Sequence, residues 1–332
     1  MKRPSPAGFC LGTRCATPRL VNVSWGYGIM SEAVRSGGGK VRRIFVGSEG
    51  LRSGWGFLLF LLILIAELLL GGLVARFIFH FDMKPPKGES PPGPLLIFEL
   101  IQSATILVAT LVMAGIERRS VWSYGLQGPN RLRLFGEGFA LGLACLSLLV
   151  LVLWLAGDFT FAGIALSPLP ALAYGLVWLA VFTLVGVSEE TLFRGYVQTT
   201  LARGLSFRGQ GFWPAAVVLS LIFGLAHMPN GGETLWGLVD VVVAGLSLCF
   251  LLWLTDSLWL PIGFHAAWDW AQSYLFGTPD SGLLVRGHLM ITHPVGDALI
   301  SGGTTGPEGS ILATPVQLLC LAGFALWKKR RK

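Results

Sequence analysis

The 332-residue chain carries eight apolar runs, at 54–80, 94–116, 135–156, 168–188, 212–228, 235–254, 258–276 and 311–327. Each reaches or nearly reaches the roughly 20 helical residues that cross about 30 Å of hydrocarbon. The runs at 212–228 and 258–276 are the least regular, because polar residues and proline interrupt them. None shows the alternation of a barrel strand, and backbone groups in lipid must find partners within the protein. The pattern predicts an all-α polytopic membrane protein of about eight transmembrane helices.

The segments between the runs divide the chain. Residues 1–53 are rich in Gly, Ser and Arg without helical periodicity, and read as a basic, disordered cytosolic segment. Residues 1–29 resemble nothing that follows, which makes Met30 an alternative start. The first apolar run is too long for the core of a signal peptide, so none is expected. Residues 54–327 form the membrane domain, with 168–276 as its core, and 328–332 (KKRRK) form a basic cytosolic tail. DMKPPKGESPPGP reads as an extended loop, and the Gly-rich 277–310 as a mobile one. No internal repeat is visible, which argues against inverted-repeat transporter folds.

Composition supports the membrane reading. Hydrophobic residues make up 53% and charged residues 13%, against roughly 25% charged in soluble domains; mean hydropathy is +0.66. The net charge of +7 could suggest nucleic acid, but its distribution does not. With both termini cytosolic, 21 of the 25 Lys and Arg residues fall on the inner side, as the positive-inside rule requires. The partner implied is a lipid bilayer, specifically a bacterial cytoplasmic membrane, and not nucleic acid. Cys10, Cys15, Cys145, Cys249 and Cys320 show no CxxC spacing, so neither a disulfide framework nor a thiolate zinc site is expected.

Ionisable residues within spans cost about 2.5–3.5 kcal/mol each on insertion scales and default to functional hypotheses. Glu67, Glu99 and Glu137 are solitary and read as polar helix contacts or interfacial residues; Asp240 is assigned no role. The remainder fall in cooperative spacings. In VSEETLFRG, Glu190 and Arg194 are four apart and share a helix face, where they can neutralise each other. Glu189 lies about 100° round the helix and points elsewhere. His265 and Asp269, again four apart, lie in GFHAAWDWAQ, and His227 ends SLIFGLAH. Three helices thus each deliver a polar face.

Two imidazoles with carboxylates can hold a divalent metal, most plausibly zinc, with an open position. Without a metal, a Glu–His pair can activate water directly. HExxH and GxSxG are both missing. On spacing alone, a hydrolase and a proton-coupled transporter stand equally.

At these residues the sequence resembles the CAAX protease and bacteriocin-processing family (CPBP or Abi), related to the Ras-converting CAAX endopeptidase. SEETLFRG matches its EExxxR motif, Phe223 to His227 its FxxxH motif, and His265 to Asp269 its HxxxN/D motif. The resemblance implies an intramembrane endopeptidase of about eight helices, with a cavity open toward membrane and cytosol. Glu189 and His227 would activate water. His265 and Asp269 would stabilise the transition state or hold a metal, along with His227 and Glu189, and Glu190 with Arg194 would support them. Asp269 stands where prenyl-protein endopeptidases carry Asn; an anionic Asp suits metal binding or His orientation better than donation to an oxyanion. The expected substrate is a membrane-associated or lipidated peptide or protein. The alternatives are a non-catalytic immunity or scaffold protein of the same fold, or a transporter.

Overall fold

The computed structural model describes residues 44–47, 50–77, 88–206 and 209–331. The expectations for residues 1–43, including the Met30 start, Cys10 and Cys15, lie outside the described residues, as does most of the Pro-rich loop.

Every apolar run forms a helix. They are α1 (Ser53–Phe77), α2 (Pro92–Ile116), α3 (Arg131–Ala156) and α4 (Pro168–Glu190), then α6 (Phe212–His227), α7 (Leu235–Thr255), α8 (Trp259–Asp269) and α10 (Ala313–Arg330). Between α4 and α6, a π-helical stretch (Thr191–Val197) leads into α5 (Gln198–Gly204). A second π-helical stretch, Trp270–Leu275, extends α8, and α9 (Ala298–Ser301) is a single turn. The starts and stops are local chemistry. Prolines open α2 and α4, where a missing N–H costs nothing, and Gly157 ends α3 at φ 87°. Five stretches are long and apolar enough to cross a membrane: Ser53–Val74, Pro92–Ile116, Arg131–Ala156, Pro168–Gly204 and Leu235–Thr255. The protein is therefore an all-α polytopic membrane protein. At 37 residues, Pro168–Gly204 would span about 55 Å, more than the hydrocarbon alone requires.

Helix α8 is clamped between α3 and α4 by small residues. Gly138 and Gly142 form a G-x-x-x-G face on α3; a Cβ on either would meet the carbonyl oxygens of Leu260 at 2.1 Å and Phe264 at 2.3 Å. Gly263 returns the contact, its Cβ position 2.1 Å from Phe135 O. Backbones this close gain dispersion along their length, which drives helix association where lipid removes the hydrophobic driving force. Gly186 of α4 meets α8 from the other side, 3.0 Å from Ile262 O. By contrast α1 is peripheral: 6% of its apolar window is buried, against 44% for α7.

The two ends of the bundle differ in charge. Arg118, Arg119, Arg131, Arg133, Arg203 and the Lys328–Arg331 tail gather at one end. There Glu117 accepts from Arg203 at 2.9 Å, and Glu137 accepts from Lys328 and Arg133, both at 2.8 Å. Glu137 is thus an interfacial pair, as expected. Exposed Trp55, Trp122, Trp213, Trp253 and Trp327 ring this end, and Trp154 and Trp236 mark the other.

At the far end, the Gly-rich segment after α8 is a packed cap, which corrects the expectation of a mobile loop. Strand β4 (Met290–Pro294) pairs antiparallel with β3 (Phe159–Ile164), apart from a two-residue ladder of β1 (Val46–Gly47) with β2 (Gly50–Leu51). Ser90 N donates to Leu284 O at 2.8 Å and Arg286 N to Ser90 O at 2.9 Å. Thr278, Val285, Thr305 and Ser310 are buried. The glycines provide close turns and not slack. Gly306 has φ 105°, and a Cβ there would meet Pro279 O at 1.9 Å.

Candidate active site

The site begins at the junction of α4 with its π-helical extension, an irregularity frequent at functional sites. Glu190 and Arg194 straddle that junction. Both side chains are fully buried, with Arg194 Nη1 donating to Glu190 Oε1 at 3.0 Å. Arg194 Nη2 reaches Gly245 O of α7 at 3.3 Å, and its guanidinium carbon lies 4.3 Å from the Phe223 ring centroid of α6. One cation thereby ties three helices together. The same Glu190 Oε1 also accepts from His265 Nδ1 at 2.9 Å.

That second bond orients His265. With Nδ1–H spent on Glu190, Nε2 faces Asp269 Oδ2 at 3.5 Å and Glu189 Oε2 at 3.9 Å. Both separations exceed a good direct hydrogen bond, so neither carboxylate competes with Glu190 for His265. The spacing-based pairing of His265 with Asp269 holds, but the stronger orienting contact comes from Glu190, on another helix.

Phe223 carries two tasks within FxxxH. Its ring packs against Arg194 and, with centroids 4.7 and 6.4 Å away, against His227 and His265. Its carbonyl lies 2.8 Å from His227 Nδ1. A carbonyl only accepts, so Nδ1 carries the proton and Nε2 of the neutral ring keeps its lone pair. Glu189 is held by its neighbour: Ser188 Oγ hydrogen-bonds Ser103 Oγ of α2 and the Leu184 carbonyl, both at 2.6 Å. The Glu189 side chain is 21% exposed and its Oε2 has no hydrogen-bond partner.

Glu189, His227, His265 and Asp269 all line one cavity of about 500 Å³, whereas Glu190 and Arg194 stand behind its wall. The cavity also reaches Ser90, Asn230, Asp280 and Glu308, so it occupies the half of the bundle away from the basic end. Residues that sequence reasoning missed are here as well. Glu99 of α2, expected to be a helix contact, lines the cavity, as does Asp240 of α7. Both were visible as ionisable residues in apolar runs, yet looked solitary because their neighbours sit on other helices. Glu67 on α1 does not line the cavity, and its Oε2 has no partner. Asp280 and Glu308 lie in the Gly-rich cap and left no signal. Burial, then the Asp269 charge, raises the Asp280 carboxyl well above its ordinary range; burial, then Asp280, does the same to Glu308.

His227, His265, Glu189 and Asp269 have the chemistry of a zinc donor set, and a carboxylate on His265 Nδ1 is a familiar outer-shell arrangement. Among the described residues, however, no three His, Cys, Asp or Glu groups are drawn together closely enough to hold an ion.

Residues 170–271 match the family model described as type II CAAX prenyl endopeptidase Rce1-like, and this segment contains all six site residues. It is a domain of the CAAX protease (CPBP) family, a family of proteases, carried in an integral membrane protein. No curated protein and no solved structure matches the chain.

Proposed function

We propose that the protein is an intramembrane endopeptidase that hydrolyses a peptide bond of a membrane-associated or lipidated peptide or protein. The observation that carries this reading is the meeting of Glu189, His227, His265 and Asp269 on one cavity, backed by the buried Glu190–Arg194 pair.

Two acceptors belong to residues that line the cavity, the Glu189 carboxylate and His227 Nε2. A water donating to both has its lone pair free for a carbonyl carbon. Glu189 takes one proton as the water oxygen bonds to that carbon, and the carbonyl becomes an oxyanion. His265, when protonated, presents Nε2–H to that oxyanion, with Asp269 and Glu190 balancing its charge. The C–N bond then breaks, and Glu189 passes its proton to the departing amine. Remoteness from bulk water strengthens each of these charge interactions.

The positive-inside rule supports placing the basic end, and both termini, in the cytosol of a bacterial inner membrane. The cavity then lies in the extracytoplasmic half of the bundle, which departs from the cytosolic opening that family resemblance suggests.

The test uses purified wild type, Glu189→Ala and His227→Ala with a library of lipidated peptides, with and without a chelator. Wild type should yield new termini that survive chelation, and both variants should lose them by about 10²-fold or more. Identical product profiles in all three would sink the protease reading, in favour of a non-catalytic immunity or transport role. Loss on chelation, restored by zinc, would instead place the water on a metal.

A further inference from the structure

The cavity holds more acid than water activation uses. Six carboxylates line it, from Glu99, Glu189, Asp240, Asp269, Asp280 and Glu308, and no Lys or Arg is among the described residues that do so. Asp240 stands out within this set. It is 8% exposed, its Oδ1 accepts from the Thr314 hydroxyl of α10, and its Oδ2 has no partner. A buried carboxylate oxygen without a donor is costly and calls for a ligand that supplies one. The neighbouring wall is apolar, with Val241, Leu248 and Trp268 lining the same space.

We propose that Asp240 anchors a subsite for a cationic substrate side chain, so that the cavity selects peptides bearing Lys or Arg over neutral or acidic ones. Such a side chain matches both features, an aliphatic stem for the apolar wall and an N–H donor head for Oδ2. Those of the other carboxylates that are ionised add a field of the same sign, which repels acidic side chains and a free C-terminal carboxylate. This rests on the endopeptidase reading of the same cavity.

Binding to Glu189→Gln tests selectivity without cleavage. The probes are N-palmitoylated peptides, identical except for one position that carries Lys, norleucine or Glu, scanned along the sequence. At one position Lys should bind about tenfold tighter than norleucine, with Glu weakest. Adding Asp240→Asn should reduce that advantage to about twofold or less, leave norleucine binding unchanged, and be rescued by Asp240→Glu. Equal binding of the three peptides at every position, or a Lys advantage that survives Asp240→Asn, overturns the proposal. If Asp240→Asn fails to fold, the comparison in Glu189→Gln still decides. Failure of the endopeptidase reading looks different: wild type cleaves none of the peptides while the Lys preference persists.

Discussion

Glu190 Oε1 accepts from both Arg194 and His265, and that sharing separates the roles of the two adjacent glutamates. Glu190→Gln keeps the shape but leaves Arg194 buried without its counter-charge, which should cost about 3–5 kcal/mol. Glu189→Gln removes no hydrogen bond at Oε2, which is buried without a partner. It should leave stability nearly unchanged while lowering turnover by about 10²-fold or more. Unfolding in detergent micelles beside turnover measures both, and a stability loss at Glu189 equal to that at Glu190 would refute the division. The Glu190–Arg194 pair was legible because four-residue spacing is a local property of a helix. The Glu190–His265 bond was not, because it depends on how α8 is set against α4, which spacing within one helix does not encode. Phe223 was visible only as a motif letter; its ring and carbonyl show why the motif needs an aromatic one turn before the histidine.

Helix α8 has little freedom, since α3 and α4 meet it through glycines. Gly142→Val would drive side-chain atoms into the Phe264 carbonyl and should cost about 1–3 kcal/mol or more. Leu69→Ala, on the exposed face of α1, should stay within about 0.5 kcal/mol. Thermal unfolding of the two variants would reveal any inversion of that order. The cap over the cavity has a pH dependence of its own. Asp280 and Glu308 both hold their protons more tightly in the folded state than carboxyls ordinarily do. The folded protein therefore binds more protons than the unfolded chain, and stability falls as pH rises from the ordinary carboxylate range through the raised values. Hydrogen exchange across 277–312, corrected for intrinsic rates, should speed up as pH rises above the ordinary carboxylate range, and Asp280→Asn should flatten that trend. A cap that tightens with rising pH would contradict this account. The helices were legible because hydropathy and length report them directly. The cap was not, because glycine marks both slack chain and tight turns, and only the neighbouring backbone tells which.

At the scale of the molecule, charge and cavity sit at opposite ends. Of the Lys and Arg residues assigned to the inner side, Arg118, Arg119, Arg131, Arg133, Arg203 and Lys328–Arg331 gather at one end, but which half of the bundle would be hollow required the packing of α2, α6, α7 and α8. Asp297 lies exposed at the cavity end and Arg331 at the basic end. In a background with Cys10 and Cys15 replaced by Ser, a membrane-impermeant maleimide should label Asp297→Cys on sealed cells, and Arg331→Cys only after lysis. The reverse pattern would turn the protein over in the membrane and give the cavity a cytosolic substrate. The central claim, that Glu189 directs water onto a peptide carbonyl, is tested most directly by cleavage in ¹⁸O-labelled water. Mass spectrometry of the wild-type products should find one ¹⁸O in the new carboxylate, and no such product from Glu189→Gln. Cleavage without label, or with equal label in both proteins, would contradict it.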